Sequence, residues 1–248
     1  MRLVAWNCNM ALHRKWDALC ALAPDVAVIS ECAAPEILAQ KSDIPLTPQT
    51  VLWMGKNRHK GLGIFSFNGY TLAPFENFGA NLHYILPAHI TTPQGRGINV
   101  MGVWAQNASA GITRKRQWGP LRCALRRYHT AFSGQAALLA GDFNNNTFWD
   151  KRGWRSNHMT MVNIAREMGL FSTYHHSYSE DHGAESIPTH FWRDRTKDGP
   201  TYHIDYIFAT MQMIQNQRAF EIGNFENWVG NKLSDHVPLV FDYDGGAG

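Results

Sequence analysis

Carboxylates, amides and one histidine recur at the ends of short apolar runs in this 248-residue chain. Asn7 follows Leu3–Trp6, and Glu31 follows Val26–Ser30. Asp142 and Asn144 follow Ala136–Ala140, Asp205 lies within His203–Ala209, and Asp235-His236 precedes Val237–Phe241. Runs of that length read as strands, and strand ends are where open α/β sheets collect their site residues. Oxygen donors of this kind suit a hard cation such as Mg2+ or Mn2+ and not zinc. Any one of these carboxylates taken alone reads as a turn or cap residue. Cys8, Cys20, Cys32 and Cys123 form no Cys-x-x-Cys pair and have no zinc-finger spacing to histidines, so reduced and mostly buried thiols are expected.

Strands and helices alternate between these positions. Leu3–Trp6 reads as a strand and His13–Leu22 as a helix, with Trp16, Leu19, Cys20 and Leu22 near one face and Pro24 as its stop. Val51–Met54 and Gly61–Phe67 read as a strand pair joined by the basic turn Lys56–Lys60. His83–Ile90 and Ile98–Trp104 read as a second pair, turning at Thr92-Pro93-Gln94-Gly95. Thr113–Phe132 is a long helical stretch interrupted near Gly119-Pro120, and Met159–Met168 is a helix closed by Gly169. Thr189–Trp192, His203–Ala209, Ala219–Ile222 and Val237–Phe241 complete the strands. Many strands mixed with several helices imply sheets packed between helical layers. With no repeat and no Pro/Gly/Ser-rich linker, residues 1–244 read as a single domain and 245–248 as a frayed tail.

Hydrophobic residues make up 44% and charged residues 17%, a globular balance that excludes a disordered, collagen-like or coiled-coil chain. No segment nears the ~18 consecutive apolar residues of a membrane span. The start lacks the apolar stretch of about 7–15 residues that an export signal needs. The expectation is a soluble cytoplasmic protein with no membrane partner, monomeric by default. Net charge is only +3, but its distribution is uneven. From Ile44 to Gly141 ten Lys or Arg face the single carboxylate of Glu76, whereas the remainder holds 13 basic and 19 acidic residues. Such asymmetry fits an anionic partner, nucleic acid being the commonest, and fits a solvated basic face equally well.

Five blocks, in order, carry a resemblance. Trp6-Asn7-Cys8-Asn9, Ile29-Ser30-Glu31-Cys32, Gly141-Asp142-Phe143-Asn144, His203-Ile204-Asp205-Tyr206-Ile207 and Leu233-Ser234-Asp235-His236-Val237-Pro238-Leu239 span nearly the whole chain. Together they resemble the exonuclease–endonuclease–phosphatase superfamily, which includes deoxyribonuclease-I-like and apurinic-endonuclease-like enzymes. The resemblance implies an α/β fold, a four-layer α/β/β/α sandwich with two packed mixed β-sheets flanked by helices. It also implies metal-dependent hydrolysis of a phosphate ester. On that basis Glu31 is the principal Mg2+ (or Mn2+) ligand, assisted by Asn7 and Asp235, and Asn9 matches a further polar position. Asp142 orients or deprotonates the attacking water, and Asn144 holds that water or a phosphate oxygen. Asp205 orients His236, which contacts the phosphate.

These roles make chemical sense. A phosphodiester is anionic and repels hydroxide, so a cation must neutralise its oxygens. Charge grows on those oxygens in the transition state, and a positioned imidazolium lowers that cost. Asp205 beside His236 favours the imidazolium. One position departs from the resemblance: where many members carry a catalytic His or Tyr, a few residues before an Asn, Trp104 stands before Asn107. An indole N–H donates a hydrogen bond but does not serve as a proton-transfer acid. Metal-bound water or a nearby histidine is left to protonate the leaving group.

For the substrate, Arg114, Lys115, Arg116, Arg122, Arg126 and Arg127 surround Trp118 with no acid among them. Basic side chains contact phosphates, and an aromatic among them stacks on an unpaired base; the alternative is an amphipathic helix anchored by Trp118. Lys56–Lys60 is a second basic cluster or a solvated hairpin tip. Thr189-His190-Phe191-Trp192 is similar to a segment of apurinic endonucleases in which Phe191 or Trp192 meets a sugar or base, and a core aromatic is the alternative. His175 and His176 are adjacent and read as a polar strand end whose side chains diverge; His158 and His182 show no partner. The leading reading is a Mg2+-dependent nuclease on DNA or RNA. Its rivals are a hydrolase of a small phosphate ester and a catalytically silent nucleic-acid-binding module.

Overall fold

Successive residues of a strand face opposite sides, so a strand apolar at every position must be covered on both faces. Leu3–Trp6, Val26–Ile29 and Ala137–Ala140 are all such runs, and every side chain in them is buried. The computed structural model describes residues 1–42, 47–75, 82–105, 116–192 and 195–245 and meets that demand by stacking two six-stranded sheets.

In chain order the strands are β1 (Arg2–Asn7), β2 (Val26–Cys32), β3 (Thr50–Asn57), β4 (Lys60–Ser66), β5 (Thr71–Pro74), β6 (Ile85–Thr91) and β7 (Gly97–Trp104). They continue with β8 (Ala137–Asp142), β9 (Leu170–Ser172), β10 (His190–Phe191), β11 (Thr201–Tyr202), β12 (Asp205–Thr210), β13 (Gln217–Ile222) and β14 (Leu239–Tyr243). The helices are α1 (Trp16–Ala21), α2 (Pro35–Lys41), α3 (Pro120–Arg127), α4 (His129–Phe132), α5 (His158–Glu167), α6 (Thr173–Tyr178) and α7 (Met211–Gln215). One sheet has the order β13-β14-β1-β2-β4-β3 and the other β5-β6-β7-β8-β12-β9. Each is mixed: β1/β2 and β7/β8 are parallel, and the remaining pairs are antiparallel.

Alternation along the strands builds the layers. Leu3, Ala5, Val26, Val28 and Ile64 of one sheet meet Val100, Leu138, Ala140, Ile207 and Ala209 of the other. On the outer face of the first sheet, Val4, Trp6, Ala27 and Ile29 pack against Trp16 and Leu19 of α1 and Leu38 of α2. On the outer face of the second, Met101, Val103, Leu139 and Phe208 pack against Leu121 and Leu125 of α3, Phe132 of α4, and Met161 and Ile164 of α5. The result is the four-layer α/β/β/α sandwich.

Several local expectations change. The helix expected over His13–Leu22 starts only at Trp16, because a 3-10 turn occupies Leu12–Arg14. The helical stretch is interrupted at Gly119-Pro120 as expected, but residues 116–119 are not helical: Pro120 opens α3, since its fixed φ and missing N–H suit a first turn, and Gly119 before it is extended. Arg116 and Trp118 therefore precede the helix; Asn107, Arg114 and Lys115 lie outside the described residues. His175 and His176 sit in α6 and not at a strand end. The thiols are free, but Cys20 and Cys123 are exposed and only Cys8 and Cys32 are buried. Asp244 N–H donates to Asn216 O (2.8 Å), and Gly245 O accepts from Arg96. Among the described residues no helix is long and apolar enough to cross a membrane.

Candidate active site

The two parallel pairs end at the same edge of the sandwich. Asn7 closes β1, Glu31 lies next to the end of β2, Trp104 closes β7 and Asp142 closes β8. Asp205 begins β12, which runs antiparallel to β8, so the register sets it opposite Asp142. Asp235 and His236 lead into β14, antiparallel to β1. Three strand directions thus deliver residues from positions 7 to 236 to one place. The edge is sealed across the sheets where Asn7 Nδ2 donates to Asp142 Oδ2 (2.9 Å) and Ser30 Oγ to Val103 O (3.3 Å).

Gly141 explains the glycine before Asp142. Its φ is +133°, and a Cβ there would stand 2.0 Å from the carbonyl oxygen of Val103. Only glycine lets β8 approach β7 this closely. Asn144 is itself left-handed (φ 46°) and folds back on Asp142. Its N–H donates to Oδ1 (2.7 Å) and its Nδ2 to Oδ2 (2.8 Å). With Asn7, three donors fix a carboxylate that is almost fully buried.

Asp205 Oδ2 accepts from His236 Nδ1 (2.8 Å) and from Thr189 Oγ1 (2.7 Å). Thr189 Oγ1 in turn accepts from the N–H of Ile204 and of Asp205, clamping the start of β12. Ser234 Oγ donates to Asn7 O (2.7 Å) and accepts from His236 N (3.1 Å), which locks the Ser-Asp-His block to β1. The ring of His190 stacks on that of His236 at 4.3 Å. Nothing in the local sequence assigns a role to Thr189, His190 or Ser234, because only their tertiary partners reveal one.

The charges are coupled. Burial and then the neighbouring Asp205 push the Asp142 carboxyl up to about 7. Burial opposes a charged His236, but the charge of Asp205 and its hydrogen bond outweigh it and raise the ring to about 10. His190 is driven down to about 4 by burial and by the His236 charge. The site therefore sets a charged imidazolium beside a neutral one at neutral pH. One ligand-type atom from each of Asp142, Asp205 and His236 lies within 4.8 Å of the others. Asp205 and His236 are hydrogen-bonded and Asp142 is coupled to both by charge, which is not a metal-ligand set: the Nδ1 proton is committed to Asp205, and a protonated ring offers no lone pair.

The oxygen donors expected to hold a metal are arranged differently. Glu31 adopts φ 63°, and its Oε2 meets Lys60 Nζ at 3.0 Å. Asp235 Oδ2 lies 3.9 Å from Arg195. Asn7 Oδ1 accepts from the Asn9 N–H (3.0 Å). A cationic group already stands against Glu31, so the charge there suits a cation, and the oxygen-only donor set fits a hard divalent ion. Lys60 also lies 5.4 Å from the centre of the Trp104 ring. Trp104 is buried and packed on Tyr84 at 4.6 Å, so it is a wall of the site and not an acid.

The substrate-binding set is only partly assembled near this edge. Trp118 is 43% exposed, but Arg122 lies over one face with Cζ 3.3 Å from the ring centre, and Arg155 lies at 5.0 Å. Arg155 was not expected; nothing in its local sequence marks it, because its partner is 37 residues away on the far side of two helices' worth of chain. Arg126 is paired with Glu167 (3.0 Å) and Arg58 with Glu36 (2.7 Å), so neither is a free phosphate contact. Trp192 is 42% exposed, whereas Phe191 is core. A large cavity, about 690 Å3, lies at the opposite end of the strands, by Met1, Gly97 and Tyr243, far from these residues.

No family model matches the chain, and no curated protein matches its sequence. Solved structures do. A 3′ phosphatase from Neisseria, bound to a product DNA hairpin, superposes with a TM-score of 0.71 at 17% identity over 98% of this chain and 99% of its own. An apurinic endonuclease from Leishmania major gives 0.67 at 14% identity over 97% and 86%. One from Archaeoglobus fulgidus gives 0.62 at 15% over 98% and 99%. The chain shares the overall fold of these phosphatase and endonuclease structures, as the resemblance of its motifs implied.

Proposed function

We propose that the protein is a metal-dependent phosphoric ester hydrolase acting on DNA or RNA. The observation that carries the reading is the Asp142–Asp205–His236 network, with Asn7 and Asn144 on Asp142, at the strand ends of this fold. The similar solved structures include a 3′-5′ exonuclease and a 3′ phosphatase bound to a product DNA hairpin, which supports a nucleic-acid substrate.

Glu31, with Asp235 and the Asn7 amide oxygen, would hold a Mg2+ or Mn2+ ion, which supplies positive charge to the phosphate oxygens. The chain's own groups do the rest. Asp142, held on both oxygens and poised near neutrality, takes a proton from the attacking water. Asn144 orients that water or a phosphate oxygen. Asp205 holds His236 charged, so that the ring donates from Nε2 to a phosphate oxygen as negative charge grows there. Arg116, Trp118, Arg122 and Trp192 would carry the strand, with Arg155 joining them and Asn107, Arg114 and Lys115 extending the set.

The test is cleavage of supercoiled plasmid and of labelled single-stranded DNA and RNA, with Mg2+, Mn2+ or EDTA, beside a His236→Ala sample. Metal-dependent cleavage lost in the variant is the expected result. Inertness towards all three polymers, with turnover of a small phosphate ester, would move the assignment to that class.

A further inference from the structure

On the outer face of the second sheet, behind the catalytic edge, four histidines surround one glutamate. His158 opens α5, His175 lies in α6, His182 and Glu185 follow on the next loop, and His203 precedes β12. The two that the sequence left without partners, His158 and His182, are here beside each other, with ring centres 5.9 Å apart. His176 takes no part, consistent with divergent neighbours on a helix.

We propose that His175, His182 and Glu185 form a binding site for a transition-metal ion of the zinc class, separate from the catalytic centre. One donor atom from each lies within 4.8 Å of the others. His175 Nε2 is 3.2 Å from Glu185 Oε1. Two ligands of a tetrahedral zinc, each bonded at 2.0–2.1 Å, stand roughly 3.3 Å apart. Two imidazoles and a carboxylate suit zinc and its neighbours and not Mg2+, so this site differs in kind from the oxygen donors at Glu31.

A second observation points to a ligand. His158 is completely buried, yet neither of its ring nitrogens has a hydrogen-bond partner among the described residues. His182 Nδ1 and His203 Nε2 are buried and unpartnered as well. Unsatisfied buried nitrogens are costly and rare, and here they gather around a carboxylate. Water would complete the coordination.

The surrounding groups orient the donors as metal sites require. Ser172 Oγ lies 2.7 Å from His175 Nδ1, which leaves Nε2 to face Glu185. Glu185 Oε2 accepts from Asn146 Nδ2 (3.0 Å) and from the Gly183 N–H (3.0 Å), while Oε1 faces His175 and accepts from Tyr206 Oη (3.3 Å). A cavity of about 260 Å3 lined by Arg166, Ser172, His175, Asp181 and His182 opens a path from solvent. Asn146 also donates to His203 O (2.9 Å) and to Tyr206 Oη (3.0 Å). The ion would therefore tie α6 and its following loop to the segment after Asp142 and to the strand that begins with Asp205.

The test uses the full chain, stripped with a chelator and dialysed. Zn2+ and Co2+ are added in the presence of excess Mg2+, and bound metal is counted by elemental analysis. One equivalent of zinc, a visible cobalt spectrum of four-coordinate type and a raised melting temperature are expected. His236→Ala should keep all three. His182→Gln and Glu185→Gln should each weaken zinc binding by at least about tenfold. If His182→Gln fails to fold, the more conservative Glu185→Gln and the cobalt spectrum of the native chain decide. Sub-stoichiometric zinc, an octahedral cobalt spectrum, binding that survives both substitutions, or binding lost in His236→Ala would each overturn the assignment.

Discussion

Asp205→Asn removes one charge and keeps the shape of the side chain. His236 then loses the counter-ion 2.8 Å from its Nδ1, and Asp142 loses the carboxylate facing it across the β8/β12 ladder. Burial works against the imidazolium, and Asp205 is the largest influence holding the ring at about 10; Asp142 and Asp235 remain. Loss of an adjacent opposite charge is worth about 1–3 pH units, so His236 should titrate between roughly 7 and 9 in the variant. Asp142 moves the same way: it stands at about 7 through burial first and Asp205 second, and the second cause goes. Both midpoints fall together, which a general loosening of the site would not produce, because loosening lowers Asp142 without unpairing His236. Histidine NMR titration of metal-free protein reads the His236 midpoint, and the pH–rate profile with Mg2+ reads both limbs. The folded midpoint of His236 is raised above the unfolded value near 6.5, so its stabilisation is full below about 6.5 and is lost as pH rises through about 10. At 1.36 kcal/mol per unit, the shift removes about 1–4 kcal/mol at neutral pH. The stability gap between native and variant, measured in urea, should close as pH approaches 10. A variant whose His236 midpoint stays within about half a unit of the native one would refute the reasoning.

Gly141→Ala should cost at least about 3 kcal/mol, because its Cβ meets the Val103 carbonyl oxygen at 2.0 Å and φ is +133°; urea unfolding measures it, and a loss under about 1 kcal/mol would contradict the close approach. Lys60→Met frees Glu31 from the ammonium at 3.0 Å, so half-maximal Mg2+ activation should fall severalfold, and a rise would show that Lys60 and the ion do not compete. Trp118→Ala and Arg122→Ala should each weaken single-stranded binding by about 1–3 kcal/mol and about 1 kcal/mol respectively, and only the arginine variant should flatten the salt dependence; equal salt slopes in fluorescence anisotropy would remove Arg122 from the phosphate path.

Chemistry carried by residue type was legible in the chain. Asn7, Glu31, Asp142, Asn144, Asp205, Asp235 and His236 each close or open an apolar run, and the runs themselves are long enough to show strand and period. Pro120 and Gly169 marked helix boundaries through their own backbone limits. The four layers were implied by the resemblance of the five blocks; strands apolar on both faces show by themselves only that each sheet is covered on both sides. Gly141 stands in its motif for a reason no local rule shows, since the atom it avoids belongs to Val103 on another strand.

What the tertiary structure alone decided are the pairings between distant positions. The sequence held Lys60 in a basic turn, but its meeting with Glu31 depends on the β2/β4 ladder. It held His175, His182 and Glu185 with helix-like and loop-like spacing that matches no local metal motif, and their convergence depends on how α6 returns over β12. It held His190 in a short segment, and only the bridge between His190 and His236 stacks the two rings. Residue type and short-range period determine what a side chain can do and which way its strand faces. Which charge raises His236 to about 10 or lowers His190 to about 4 depends on distances of a few ångströms between chain segments tens to hundreds of residues apart, and those distances exist only once both sheets have closed over a common core.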